Sequence, residues 1–264
     1  MRNINAKRIV IKIGTAILTK NGQLDASWIK RKAKEISGLA RKGKEIILVS
    51  SGAVGAGMII EGLKKRPNDA LKLQLLSGKG QPVLFKIYCD ALGKYGIKTA
   101  QILLTHHNFS NKSEEGTVRN IINAYLKEKT IAVINENDMV SKEEFVGNSF
   151  KKFTDNDELA GLVAENMNAD LLLILTDVHG LYSCNPKKDS KARLIREIGR
   201  VTGEIERMAT KEKCNMSLGG MYSKVHVAKI LAAKGITTIV AHGNSKIDKI
   251  LDGKAKRTVF LAKG

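Results

Sequence analysis

Six short apolar runs recur along the chain, each rich in β-branched residues. They are RIVIKIG (8–14), EIILVSSG (45–52), TAQILLT (99–105), TIAVINEN (130–137), LLLILTD (171–177) and TTIVAHG (237–243). Most are too continuous for strands with one wet face. They fit strands of a parallel sheet covered on both sides. Between them, apolar residues recur at helical spacing. In 27–42, Ile29, Ala33, Ile36 and Ala40 share one face, with Ser27 placed as N-cap. In 157–168, Leu159, Leu162, Val163 and Met167 do the same, and 69–93, 114–127 and 220–234 are also helical in pattern. Strand alternating with helix predicts an α/β fold with helices on both faces of the sheet. Segment 139–156 breaks the alternation. Phe145, Phe150 and Phe153 around Gly147 and Asn148 predict a β-hairpin projecting over the sheet edge.

In open parallel sheets, ligands bind beyond the carboxyl ends of the strands. Polar and glycyl residues gather at those ends here. The first run closes on Lys12-Ile13-Gly14-Thr15, the second on SSGAVGAG (50–57), the fourth on Asn135-Glu136-Asn137-Asp138 and the fifth on Thr176-Asp177. Two amides and two carboxylates after a buried run suit a turn, or a polar ligand waiting there. SSGAVGAG is a strand-to-helix turn of small residues, whose backbone N–H groups suit an anion or close helix packing. It is not G-x-G-x-x-G. Nor is there a P-loop, since Gly78-Lys79 is followed by Gly80 and position 73 is Leu73. Protein-kinase signatures are missing too.

Lys12 lies inside an apolar strand, where an unpaired ammonium is costly. A phosphate partner accounts for it, as would an outward turn at a sheet edge. LGGMYSK (218–224) is a second glycine turn leading into a helix, with Lys224 in its first turns, either near a bound anion or simply on the surface. FTDNDELAG (153–161) opens another helix. Asp155 or Asn156 suits its N-cap, and Asp157 and Glu158 are favoured there by the helix dipole. Neighbouring His106 and His107 would point to opposite faces of a strand, with no further ligand near in sequence. We expect no metal site built by the protein.

Composition changes this picture little. Of 264 residues, 43% are apolar, as in a globular protein, and no apolar run approaches the roughly 20 residues of a membrane helix. The N-terminus, MRNINAKRIVIKIG, reads as a first strand rather than a secretory signal. Cys89, Cys184 and Cys214 form no C-x-x-C pair and suit free thiols in a reducing cytoplasm. The formal charge of +19 invites nucleic acid as a partner. However, the lysines are dispersed along the chain and aromatics are only 5%, so no specific nucleic-acid site is expected.

Taken together, VIKIGT (10–15), VSSGAVGAG (49–57), INEND (134–138), DND (155–157), LLLILTDVHGLYSCNP (171–186) and GGMYSK (219–224) resemble the amino acid kinase family, and within it the glutamate 5-kinases. The resemblance runs from about residue 7 to residue 262, in the family's order. INEND is its most specific motif.

The resemblance implies a three-layer αβα sandwich around a central, mostly parallel sheet. It implies one kinase domain over 1–264, its N-terminal part facing substrate and its C-terminal part facing ATP. It implies ATP-dependent phosphorylation of the γ-carboxylate of L-glutamate, the first step of proline synthesis. Lys12 and Lys224 would contact the transferred phosphoryl group, with Asp157 organising both. Ser51, Gly52, Asp138 and Asn156 would bind glutamate. Lys12, Gly14, Thr176, Asp177, Gly219, Gly220, Met221 and Lys224 would bind ATP, and Mg²⁺ would be held mainly by the ATP phosphates and water. A cytoplasmic homodimer or homotetramer with feedback by proline belongs to the same expectation. So does the short form lacking the C-terminal RNA-modification-like domain of many members. The chain departs from the family pattern at Ser217-Leu218, where Gly-Thr is usual, and at Thr154, where glycine is usual. Two other readings are another superfamily member, such as a uridylate kinase, and a basic nucleic-acid-binding regulator on the same fold.

Overall fold

The computed structural model describes residues 2–20, 23–140, 156–186, 189–211 and 220–263. The chain opens with β1 (Arg8–Ile13), a turn of helix α1 (Thr15–Leu18), and a two-residue ribbon of β2 (Thr19–Lys20) and β3 (Gln23–Leu24). Next come α2 (Ala26–Arg41), β4 (Glu45–Ser50), α3 (Ala53–Ile60), α4 (Ala70–Gly93) and β5 (Lys98–Leu104). The middle of the chain holds α5 (His107–Ser110), α6 (Lys112–Lys127), β6 (Thr130–Glu136), α7 (Asn156–Asn166) and β7 (Leu171–Thr176). It finishes with β8 (Glu197–Ile198), α8 (Gly203–Lys211), α9 (Met221–Ala233), β9 (Thr237–His242), α10 (Ile247–Leu251) and β10 (Arg257–Phe260).

Among the described residues, eight strands form one sheet in the order β5-β6-β4-β1-β7-β9-β10-β8. All pairings are parallel except β9 with β10. Strand β1 is therefore central. Strands β4 to β6 lie on one side of it and β7 onward on the other. That reversal of order opens a crevice at the strands' carboxyl ends.

Alternation along β1 explains the two layers of helices. Ile9, Ile11 and Ile13 enter the core shared with Trp28, Ile36, Leu84 and Tyr88 from α2 and α4. Val10 enters the opposite core, with Leu159 and Val163 of α7 and Val225 and Val227 of α9. Lys12 has the parity of Val10 and so falls on the α7 face. Strands covered on both sides have no polar face to expose, which is why the apolar runs read as continuous.

Some local expectations need correction. The N-cap of α2 is Asp25, whose Oδ1 accepts from the Trp28 N–H at 2.8 Å, and Ser27 instead donates its hydroxyl to the same oxygen. Lys12 is not at an edge, because β1 pairs on both sides. His106 and His107 follow β5 rather than lie in it, and His107 opens α5. Both α6 and α9 are displaced by a residue or two from their predicted starts. The hairpin anticipated over 139–156 falls almost wholly outside the described residues.

Candidate functional site

Asn156, the first residue of α7, locks the helix to the sheet. Its side-chain N–H donates to the Ser50 carbonyl at the end of β4 (2.8 Å) and to Asn135 Oδ1 near the end of β6 (2.6 Å). This sets the next residue, Asp157, over the central strands. Asp157 and Glu158 occupy the first turn of α7, where the helix dipole favours a carboxylate.

Asp157 is completely buried and grips two lysines from elements far apart in sequence. Lys12 Nζ of β1 lies 2.6 Å from Asp157 Oδ1, and Lys224 Nζ of α9 lies 2.8 Å from Oδ2. Ser223 Oγ also reaches Oδ2, at 2.8 Å. Lys12 and Lys224 are themselves only 5% and 4% exposed. Burial pushes the Asp157 carboxyl up, but the two ammonium groups and their hydrogen bonds outweigh it and hold the carboxyl far below the ordinary aspartate range. Two ammonium groups against one carboxylate leave a surplus positive charge in this trio. Two buried ammonium groups held by one carboxylate at the mouth of a sheet are suited to a phosphoryl group.

The glycine turns flank this trio. Gly14 follows β1, and its N–H donates to the Leu175 carbonyl of β7 at 3.1 Å. Gly220 is the N-cap of α9 and makes no side-chain cap bond to the first N–H groups of that helix. Met221 is its first residue and is buried. Gly219 lies outside the described residues. At the end of β7, Thr176 Oγ1 donates to Asp177 Oδ1 (3.1 Å), and the Thr176 carbonyl accepts from Gly243 N–H (2.8 Å), which joins β7 to the end of β9. Lys12, Gly14, Thr176, Asp177, Gly220, Met221 and Lys224 thus share one edge of the molecule.

The SSGAVGAG turn divides its duties. Gly52 has φ +106, a left-handed conformation that favours glycine, and it starts α3. Ser51 donates its backbone N–H to the Ile13 carbonyl at 3.0 Å, tying β4 to β1. Gly57, by contrast, meets α4: a Cβ there would lie 1.9 Å from the Leu76 carbonyl oxygen. Its role is helix packing. The sequence did not distinguish these two uses.

At the end of β6 and just past it, Asn135, Glu136 and Asp138 are all buried. Ser77 of α4 donates its hydroxyl to Asp138 Oδ2, while Oδ1 has no hydrogen-bond partner among the described residues. A cavity of about 160 Å³ sits here, lined by Ser77, Gln81 and Pro82 of α4 and by Glu136, Asp138 and Met139 among others. Sequence reading found Asp138 and Asn156 but missed Ser77, Gln81 and Ser223. Ser77 and Gln81 come from α4 and carry no local signature, while Ser223 lies within the GGMYSK motif beside Lys224.

His106 lies between two carboxylates, with Nδ1 3.7 Å from Glu136 Oε2 and Nε2 3.6 Å from Glu158 Oε2. Among the described residues, no group of three or more His, Cys, Asp or Glu side chains is arranged to hold a metal ion.

Comparison with known proteins gives the geometry a context. Residues 7–242 match the model of the amino acid kinase family. The chain is 39% identical to a glutamate 5-kinase of Methylibium petroleiphilum over 98% of this chain and 68% of that protein. It is 36% identical to a glutamate 5-kinase of Clostridium perfringens over 98% of this chain and 97% of that protein. Among solved structures, a carbamate kinase from Giardia lamblia bound to AMP-PNP superimposes with a TM-score of 0.68 at 20% identity, over 97% of this chain and 99% of that one.

Proposed function

The chain belongs to the amino acid kinase family and to its glutamate 5-kinases, and from that premise we propose how its residues transfer phosphate to L-glutamate. The observation that carries the reading is the buried Asp157 carboxylate holding Lys12 and Lys224 together at the mouth of the sheet.

The γ-carboxylate of glutamate is ionised at neutral pH, with an ordinary pKa of about 4.3. It needs no general base. The obstacle is repulsion between an anionic nucleophile and an anionic γ-phosphoryl group. Positioning and preorganised positive charge are then the means of catalysis. Lys12 and Lys224 stand on opposite oxygens of one carboxylate, so their separation is fixed before substrate arrives. The γ-carboxylate oxygen attacks the γ-phosphorus, the bond to the β,γ-bridging oxygen breaks, and ADP leaves. The lysines neutralise charge on the phosphoryl oxygens during that transfer. The uncapped start of α9 and the Gly14 turn receive the ATP phosphates, with Thr176 and Asp177 beside them. Mg²⁺ would be held mainly by the ATP phosphates and water, and would lower the charge of those phosphates. Ser51, Gly52, Asp138 and Asn156 hold the glutamate, with Asp138 as countercharge to its ammonium.

The sheet order supports one kinase domain over 1–264, with the acceptor on the β4-β6 side of β1 and ATP on the β7-β9 side. No helix among the described residues is long and apolar enough to cross a membrane. A cytoplasmic location, a homodimer or homotetramer and feedback by proline complete the proposal. The test is ADP release from ATP and Mg²⁺ with L-glutamate compared with UMP. Release that depends on glutamate supports the reading, and release that depends on UMP overturns it. The cavity beside Asp138 favours the smaller acceptor, since about 160 Å³ is well under the roughly 300–1,000 Å³ of sites for drug-sized ligands.

A further inference from the structure

We propose that Gln81 selects the α-carboxylate of the acceptor amino acid, donating its carboxamide N–H to that group while Asp138 and Glu136 take the α-ammonium. This rests on the glutamate kinase reading and extends it to a residue on α4 that no motif marks.

The direction in which Gln81 presents its N–H follows from a ladder of amides. At one end, Asn156 donates to the Ser50 backbone carbonyl, so the atom it offers is Nδ2. That same Nδ2 meets Asn135 at 2.6 Å, and the Glu136 backbone N–H meets the same Asn135 atom at 2.9 Å. Two donors fix that atom as the carbonyl oxygen, Oδ1. The other end of the Asn135 amide is then Nδ2, which donates to Gln81 at 2.9 Å. Gln81 must accept with Oε1, and its Nε2 is turned away from the ladder. The orientation is therefore dictated by two backbone groups at fixed positions.

Gln81 Nε2 is buried and has no hydrogen-bond partner among the described residues. The same holds for Asp138 Oδ1 and Glu136 Oε1. Gln81, Asp138 and Glu136 are 7%, 5% and 6% exposed, and all three line the cavity of about 160 Å³. Buried polar groups left unpaired are costly, and three around one cavity point to an occupant with complementary groups. Two acceptors require a donor-rich cation, and one donor requires an anion. An α-amino acid head group carries both on neighbouring atoms. Pro82 adds to the acceptor side: it lacks the N–H that would bond the Gly78 carbonyl within α4, and both residues line the cavity. The ladder also connects this cavity to the chemistry, because its last rung, Asn156, immediately precedes Asp157.

The test uses Gln81→Glu, which keeps an oxygen to accept from Asn135 and replaces only the donor by a negatively charged acceptor. Steady-state kinetics with L-glutamate would be measured alongside inhibition by 4-aminobutyrate, which lacks the α-carboxylate, and by glutarate, which lacks the ammonium. We expect KM for glutamate to rise roughly 10- to 100-fold, the inhibition constant of 4-aminobutyrate to stay within about twofold, and ATP binding to persist. In Asp138→Asn the pattern should reverse, with glutamate weakened and glutarate spared. Gln81→Met, which removes the donor without adding charge, repeats the comparison if Gln81→Glu fails to fold. An unchanged KM for glutamate in either Gln81 variant, or equal weakening of glutamate and 4-aminobutyrate, would overturn the assignment. If the parent protein itself releases no ADP with glutamate, the underlying kinase reading fails instead.

Discussion

Asp157 is where single atoms carry the most consequence. Removing either ammonium should slow the chemical step more than it weakens glutamate binding. Lys12→Ala and Lys224→Ala are each expected to lower kcat on the order of 10²- to 10³-fold, with smaller changes in KM. A folded variant retaining more than about half the parent kcat would contradict the clamp. Asp157→Asn should act differently. It leaves two buried ammonium groups without their countercharge, so it should destabilise the protein by about 3–5 kcal/mol at neutral pH. The sign of its pH dependence follows from the depressed folded-state pKa. The carboxylate contributes stability above its unfolded pKa, near 4, and loses that contribution as pH falls toward the much lower folded value. The gap in thermal midpoint between parent and Asp157→Asn should therefore be full at pH 7 and shrink below about pH 4. A gap independent of pH would place the cost of the variant elsewhere.

At the scale of elements, the crossing of α3 and α4 shapes the acceptor side. The two helices touch through Gly57 and Gly80. A Cβ at Gly57 would fall 1.9 Å from the Leu76 carbonyl oxygen, and one at Gly80 would fall 2.0 Å from that of Ala53. Backbone atoms cannot move aside as side chains do, so alanine at either position must push the helices apart. Overpacking of this kind costs roughly 1–3 kcal/mol or more. For a chain of this size that is a fall of several degrees in thermal midpoint. Because α4 carries Ser77 and Gln81, the same variants should raise KM for glutamate more than KM for ATP. Differential scanning fluorimetry and kinetics on one preparation would check both. A displaced α4 with unaltered glutamate affinity would separate the helix from the acceptor site.

For the molecule as a whole, the charge of +19 is the feature the kinase chemistry does not use. Its lysines are dispersed, and several pair with nearby acids on the surface, as Lys79 does with Glu61, Lys229 with Glu206 and Lys234 with Glu165. Aromatic residues are only 5% of the chain. Binding to DNA or RNA should then be weak and blind to sequence, and it should collapse between low and physiological salt as counterions compete. A fluorescence anisotropy titration at two salt concentrations checks this. Tight, sequence-selective binding at physiological salt would contradict it.

Much of the architecture was legible in the chain. Continuous β-branched runs alternating with helical periodicity can satisfy their surfaces only in a sheet covered on both faces, and four of the six predicted strands announced their ends by glycine or a polar cluster. An ammonium in an apolar strand at Lys12 and a carboxylate at a helix start at Asp157 were also visible locally, whereas Lys224 gained a role only from the family resemblance; the structure brings the three together. Local pattern does not carry strand order, however. The short antiparallel return of β10 and the two-residue β8 pass below the signal of periodicity, since their stability comes from neighbours rather than from their own sequence. Nor does pattern say which glycine packs a helix and which starts one. The tertiary structure alone brought Gln81 and Ser77 of one helix and Glu136 and Asp138 at the end of a strand around a single cavity, with Asn135 of that strand and Asn156 of another helix joined to it by the amide ladder. Hydrogen bonds reach only about 3 Å, so groups 20 to 80 residues apart acquire a common role only when packing has set the backbones in register.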